Sequence, residues 1–124
     1  MTNPTEGPEV LDMEAVEDAK DAMKGKFATM VQFYLEDTVA FVEQIEAAVS
    51  ANETDKIVSP AHTLKSSSAQ LGAMQVSDIA QELEAAAREG AGGGNDIASL
   101  TQRLRAAFEA VEPKFKEILD QQAA

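Results

Sequence analysis

Apolar residues recur every three or four positions through four long stretches of this 124-residue chain. That spacing is the period of an α-helix, and it decides which residues of each stretch share one buried face. In residues 26–50 the face carries Phe27, Met30, Tyr34, Phe41, Ile45 and Ala48, widened by Val31, Leu35, Val42 and Val49. Glu36, Asp37, Glu43 and Glu46 fall largely off it. A helix of ~25 residues would be roughly 37 Å long. A second stretch follows Ile57, Ala61, Leu64, Ser68 and Leu71. The third, over 74–89, follows Val76, Ile79, Ala80, Leu83, Ala86 and Ala87, with Gln81, Glu84 and Arg88 off the stripe. The fourth follows Ile97, Leu100, Leu104, Phe108, Val111, Phe115 and Ile118. No stretch alternates with period two for long enough to make a strand.

Residues that start and stop helices punctuate these stretches. Asp12 is placed to cap a short helix over 12–24, with Glu14 and Glu17 near its positive end and Gly25 ending it. That helix is too short and polar to be a main core element. Asn52 to Asp55 breaks the chain again. The next helix is expected to begin near Thr54 and to be disturbed at Pro60; the alternative is a cap at Ser59 with Pro60 first in the helix. Gly72 suits a left-handed C-terminal position. Gly90 to Asn95 reads as a connection between helices, since no strand precedes it and no Gly-Lys-Ser/Thr follows, as a phosphate loop would need. Asp96 caps the last helix, Pro113 should kink it or split off its end, and residues 121–124 should fray. The fold class expected is all-α: an antiparallel four-helix bundle with an additional short N-terminal helix. Residues 1–9 read as a flexible tail and 10–122 as a single domain.

Composition excludes several function classes. There is no Cys, hence no disulfide and no thiolate metal site. The formal net charge of −12, from 22 acidic and 10 basic residues, opposes binding to nucleic acid or to an anionic membrane. It favours a soluble monomer. With no signal-like N-terminus and no long apolar run, the expected location is cytoplasmic.

His62 is the sole histidine and the first candidate for chemistry near neutral pH. It lies beside the buried stripe of its helix, with Lys65 at i+3 and Ser66 at i+4 on the same face. An ordinary surface histidine is the simplest reading. A metal site lacks a second His or Cys, and a Ser66–His62 hydrolase lacks a recognisable oxyanion loop or orienting carboxylate. A phosphohistidine suits the neighbours better. A neutral imidazole nitrogen is a nucleophile, Lys65 offers a cation to phosphoryl oxygens, and small residues at 66 and 69 leave room for a partner.

The run Ala61-His62-Thr63-Leu64-Lys65-Ser66-Ser67-Ser68-Ala69-Gln70-Leu71-Gly72-Ala73 closely resembles the signature of histidine-containing phosphotransfer domains. More loosely, the resemblance covers most of the chain, including the Leu83-Glu84 pair on the following helix. It implies a four-helix bundle that takes a phosphoryl group from one receiver-domain aspartate and passes it to another. His62 would be the phosphorylated residue and Lys65 the lysine that stabilises the phosphoryl group. Glu84 would orient the imidazole by accepting its other N–H, or would be a solvated helix-surface charge paired with Arg88 at i+4. Ser66 stands where the family usually has Gly. The resemblance implies no cofactor in this chain and a divalent metal (Mg) in the partner. The partners would be receiver domains of response regulators or hybrid sensor histidine kinases, in a two-component phosphorelay. Docking would use apolar side chains among Val16, Met23, Met30 and Phe33, with core packing the favoured reading for Met30. Ser67 and Ser68 are expected to serve helix–helix packing, with hydroxyls bonded back to helix carbonyls. A helical adaptor that binds a receiver or kinase without carrying phosphate is the alternative.

Overall fold

The computed structural model describes residues 10–90 and 97–123. Its helices are α1 (Met13–Met23), α2 (Phe27–Ser50), α3 (Val58–Leu71), α4 (Met74–Glu89) and α5 (Ile97–Ala123). Tight 3-10 turns over Lys24–Lys26 and Thr54–Ile57 lead into α2 and α3. Among the described residues there is no strand. Helices α2 and α4 each pack against both α3 and α5, so the four long helices close a ring; α1 lies mainly against α3. The result is the all-α antiparallel bundle that the apolar spacing predicts, with the short helix added.

The core is the sum of the four stripes. Phe27, Ile45, Leu64, Leu83, Leu104 and Phe115 are fully buried. Each such side chain contributes about 1.5–3 kcal/mol relative to exposure. Four predicted core positions differ, Val49 and Ala86 among them, which are only partly buried. Met30 is 39% exposed, and Phe41 is only partly buried. Thr38 takes a fully buried place on the same helix instead, because its hydroxyl donates to the Tyr34 carbonyl at 2.6 Å and so leaves no unpaired group.

Helix ends follow local chemistry. The Asp12 carboxylate accepts from the Glu14 and Ala15 amides and caps α1. The stop of α1 falls at Lys24, with φ +51°, and not at Gly25. Nothing crowds the position of a Gly25 Cβ, so sterics make no demand for glycine there. Asn52, at φ +60°, ends α2, while the Glu53 amide bonds the Ala48 carbonyl at 2.8 Å. Pro60 sits in the first turn of α3, where its missing N–H would be unpaired anyway. Helical geometry does begin at Thr54, as a 3-10 turn. Pro113 does not split α5, since Val111 and Phe115 on either side of it stay buried on one stripe. The helix runs on to Ala123, past the expected fraying point. The tail over 1–9, the connection over 91–95 and the cap at Asp96 lie outside the described residues.

The α3–α4 turn is the tightest joint. Gly72 has φ +89°, and Ala73 N bonds the Ser68 carbonyl at 2.9 Å. The Gly72 carbonyl accepts from Asp12 N at 2.8 Å, which ties the start of α1 to this turn. That contact explains why Val16, a docking candidate by sequence, is fully buried: its side chain packs over Gly72. A Cβ on Gly72 would come 2.7 Å from the Asp12 carbonyl oxygen. Gly72→Ala is therefore expected to lower stability by at least about 1–2 kcal/mol from the left-handed backbone alone. Urea denaturation measures it, and an unchanged midpoint would contradict the close approach.

Candidate functional site

Helices α3 and α4 form a hairpin, and the candidate site lies across its outer seam. Ser77 of α4 clamps the seam by donating to the Lys65 carbonyl at 2.8 Å. On the inner side, Tyr34 OH and Ser68 Oγ share a hydrogen bond at 2.7 Å, joining α2 to α3. The Tyr34 ring meets Phe115 of α5 edge-on at 5.5 Å. Burial pushes the Tyr34 phenol up to about 12, so it stays neutral in the core. Ser68 thus serves helix–helix packing as expected, but its hydroxyl bonds across to Tyr34 and not back to a carbonyl, because its position on the buried stripe faces that ring. Ser67 does bond back, to Leu64 O at 3.4 Å.

On this base sits a carboxylate with several donors. Glu84 is 7% exposed, although the spacing of α4 places it off the apolar stripe. Its Oε2 accepts from His62 Nδ1 at 2.9 Å and from Arg88 Nη2 and Nε at 2.7 and 3.2 Å. Its Oε1 takes Lys65 Nζ at 3.2 Å. The Arg88 guanidinium, helped by Lys65 and His62, holds the Glu84 carboxyl down at about 2 against the opposing effect of burial. Burial of a carboxylate is tolerable here because it is paired and hydrogen-bonded.

The ionised state of Glu84 decides the tautomer of His62. A carboxylate accepts and cannot donate, so Nδ1 must carry the proton. The lone pair is then on Nε2, on a ring whose side chain is 59% exposed. The site can therefore present a held, exposed nucleophilic nitrogen. Lys65, one turn along, is half-buried and already paired. Ser66 is exposed on the same face, and no hydrogen bond joins it to His62; the Ser–His pair of a hydrolase is not assembled. Of the four sequence-predicted site residues, the structure links His62, Lys65 and Glu84 directly and leaves Ser66 beside them.

One Glu84 oxygen meets both His62 and Arg88, so the two expected contacts coexist, but Glu84 is buried and is not the solvated surface charge of the alternative reading. The i, i+4 spacing of Glu84 and Arg88 was the visible signal for that pair. The Ser77 and Tyr34 contacts had no such signal. Outside the cluster, Phe33 is 54% exposed on α2, one turn from exposed Met30, and Met23 is partly buried. Met30 is thus not the core residue expected of it. Among the described residues no group of three or more His, Asp or Glu side chains stands ready to hold a metal. None of the described helices is long and apolar enough to cross a membrane.

The family model described as Hpt domain matches residues 29–114. No curated protein matches the sequence. Among solved structures, histidine-containing phosphotransfer protein B (HptB) from Pseudomonas aeruginosa PAO1 is similar in fold, with a TM-score of 0.86. The two are 21% identical, and the match covers 93% of this chain and 98% of that one.

The depressed Glu84 carboxyl makes a pH prediction. Its ordinary value, as in the unfolded chain, is near 4.3. The stability it contributes is fully present above about pH 5 and is lost as pH falls toward 2. Glu84→Gln lacks that contribution at every pH. Between pH 5 and 2 the wild type is expected to lose more stability than Glu84→Gln, as read by urea midpoints; equal losses would contradict the pairing.

Proposed function

The chain belongs to the Hpt domain family, and from that premise we propose that it is a phosphocarrier of a two-component phosphorelay with His62 as the carrying residue. The phosphoryl group comes from an aspartyl phosphate of a receiver domain and leaves to another receiver aspartate. The observation that carries this reading is the bond from His62 Nδ1 to an ionised, nearly buried Glu84. It supports Nε2 as the attacking atom.

In the forward step the Nε2 lone pair attacks phosphorus, and the P–O bond to the aspartate breaks. The electron pair leaves with the aspartate carboxylate. The ring keeps its Nδ1 proton and becomes cationic, and Glu84 stabilises that charge through the bond already in place. Lys65 offers its ammonium to the phosphoryl oxygens. The receiver supplies the divalent metal, Mg in this reading, and most of the other catalytic groups. The small Ser66 side chain, where the family usually has Gly, leaves room for the receiver and offers a hydroxyl near the phosphoryl group.

Exposed Phe33 and Met30 on α2 suit docking of a receiver or of the receiver part of a hybrid sensor kinase. The net charge of −12 opposes self-association, in keeping with a cytoplasmic monomer. The competing reading is an adaptor that binds a receiver without carrying phosphate. An adaptor has no chemical need for His62, Lys65 and Glu84 to be joined.

Incubation with a receiver bearing an aspartyl phosphate is expected to place an acid-labile, base-stable phosphate on the wild type and none on His62→Gln. Equal labelling of both would remove His62 from the mechanism. Tight binding of the receiver with no transfer in either direction would favour the adaptor.

A further inference from the structure

Lys65 faces a conflict in the phosphocarrier. It is bonded to Glu84 Oε1 at 3.2 Å, yet it lies one helical turn from His62, where an incoming phosphoryl group needs a cation. A phosphoryl group brings close to two negative charges near neutral pH. Glu84 is only 7% exposed, so a carboxylate abandoned there would be penalised by lost pairing in a place water hardly reaches. Arg88 changes that balance. Its two bonds, at 2.7 and 3.2 Å, both fall on Oε2, the oxygen that also holds His62. With the imidazole neutral, Lys65 and Arg88 together exceed the Glu84 charge by one positive unit. The cluster therefore has a cation to spare.

We propose that Arg88 is a positioning residue that frees Lys65: by holding Glu84 alone, it lets Lys65 exchange the carboxylate for the phosphoryl group on His62. This rests on the phosphocarrier reading above. Arg88 itself need not touch the phosphoryl group. Without it, Glu84 retains Lys65, and the phosphoryl oxygens gain no lysine. In the exchange Lys65 Nζ leaves Oε1, the Nδ1 proton stays between His62 and Oε2, and both cations remain charged.

Phosphoramidate, a small donor to imidazole nitrogen, tests this without any receiver. The Nε2 lone pair forms the new N–P bond as the P–N bond of the protonated donor breaks and ammonia leaves. Loading rates are compared for wild type, Arg88→Ala, Glu84→Gln and the double variant. The Arg88 side chain is 60% exposed, so its truncation leaves the core intact; circular dichroism verifies the helices. Arg88→Ala is expected to slow loading about tenfold in the wild-type background, the scale of one charge-assisted hydrogen bond. In the Glu84→Gln background the same change is expected to slow it less than about twofold, since a neutral amide has no claim on Lys65. A purely structural role for Arg88 would not be relieved by Glu84→Gln. Equal factors in both backgrounds, or no effect of Arg88→Ala in the wild type, would overturn the proposal. If phosphoramidate loads His62 with the expected pattern but no receiver does, the relay reading alone fails. If a receiver loads His62 and the two factors are equal, this inference alone fails.

Discussion

One carboxylate, Glu84, sits nearly out of water between α3 and α4 and is held by donors from both helices. A charge in such a place is stable only when its oxygens are met by donors. His62, Lys65 and Arg88 meet them, and in doing so lose freedom of their own. The imidazole acquires a fixed tautomer, Lys65 a fixed starting point, and Arg88 a fixed grip. The chemistry proposed for Nε2 therefore begins in the electrostatics of a residue that never touches the phosphoryl group. In a chain of net charge −12 this gathering of two cations around one acid is local.

That arrangement depends on the spacing of the hairpin, which is set elsewhere. Gly72 turns the chain in a conformation that side chains resist, and Asp12 of the α1 cap closes over it. Ser77 then pins α4 to the Lys65 carbonyl, and Tyr34 pins α3 to α2 from inside. Each polar contact is paired, and among the described residues no buried side-chain N or O atom lacks a partner. Helix α3 carries both jobs: Ala61, Leu64 and Ser68 face the core while His62 and Lys65 face out. The short helix α1 matters more than its length suggests, because its first turn is part of the joint.

The helices were legible because their apolar stripes are long and regular. Every stripe position that spacing selects on α3 and α5 is buried, and Pro60, Thr101 and Ala107 join them. Turn residues with a single physical role were legible too, Asp12 as a cap and Gly72 as a left-handed stop. Glu84 was legible as a candidate partner of His62, but its burial was not. Periodicity sorts by polarity, so a paired acid on the shoulder of a stripe looks like a surface charge. Val16 and Met30 exchanged roles for a related reason. A helix with more apolar residues than its core face can hold leaves some outside, and only packing decides which. Val16 went inside through the contact of α1 with Gly72, while Met30 on α2 was left exposed. Ser68 bonded across to Tyr34 because a partner 34 positions away in sequence leaves no local mark.

If Glu84 reserves Nδ1, Nε2 is the nitrogen left to carry the phosphoryl group. Nitrogen and phosphorus NMR of the isotope-labelled, phosphorylated protein tests it most directly, since coupling to phosphorus marks the ring nitrogen that bears it. Phosphorus is expected on Nε2 of His62, with a proton retained on Nδ1. Phosphorus on Nδ1, or an unprotonated Nδ1 in the phosphorylated ring, would contradict it.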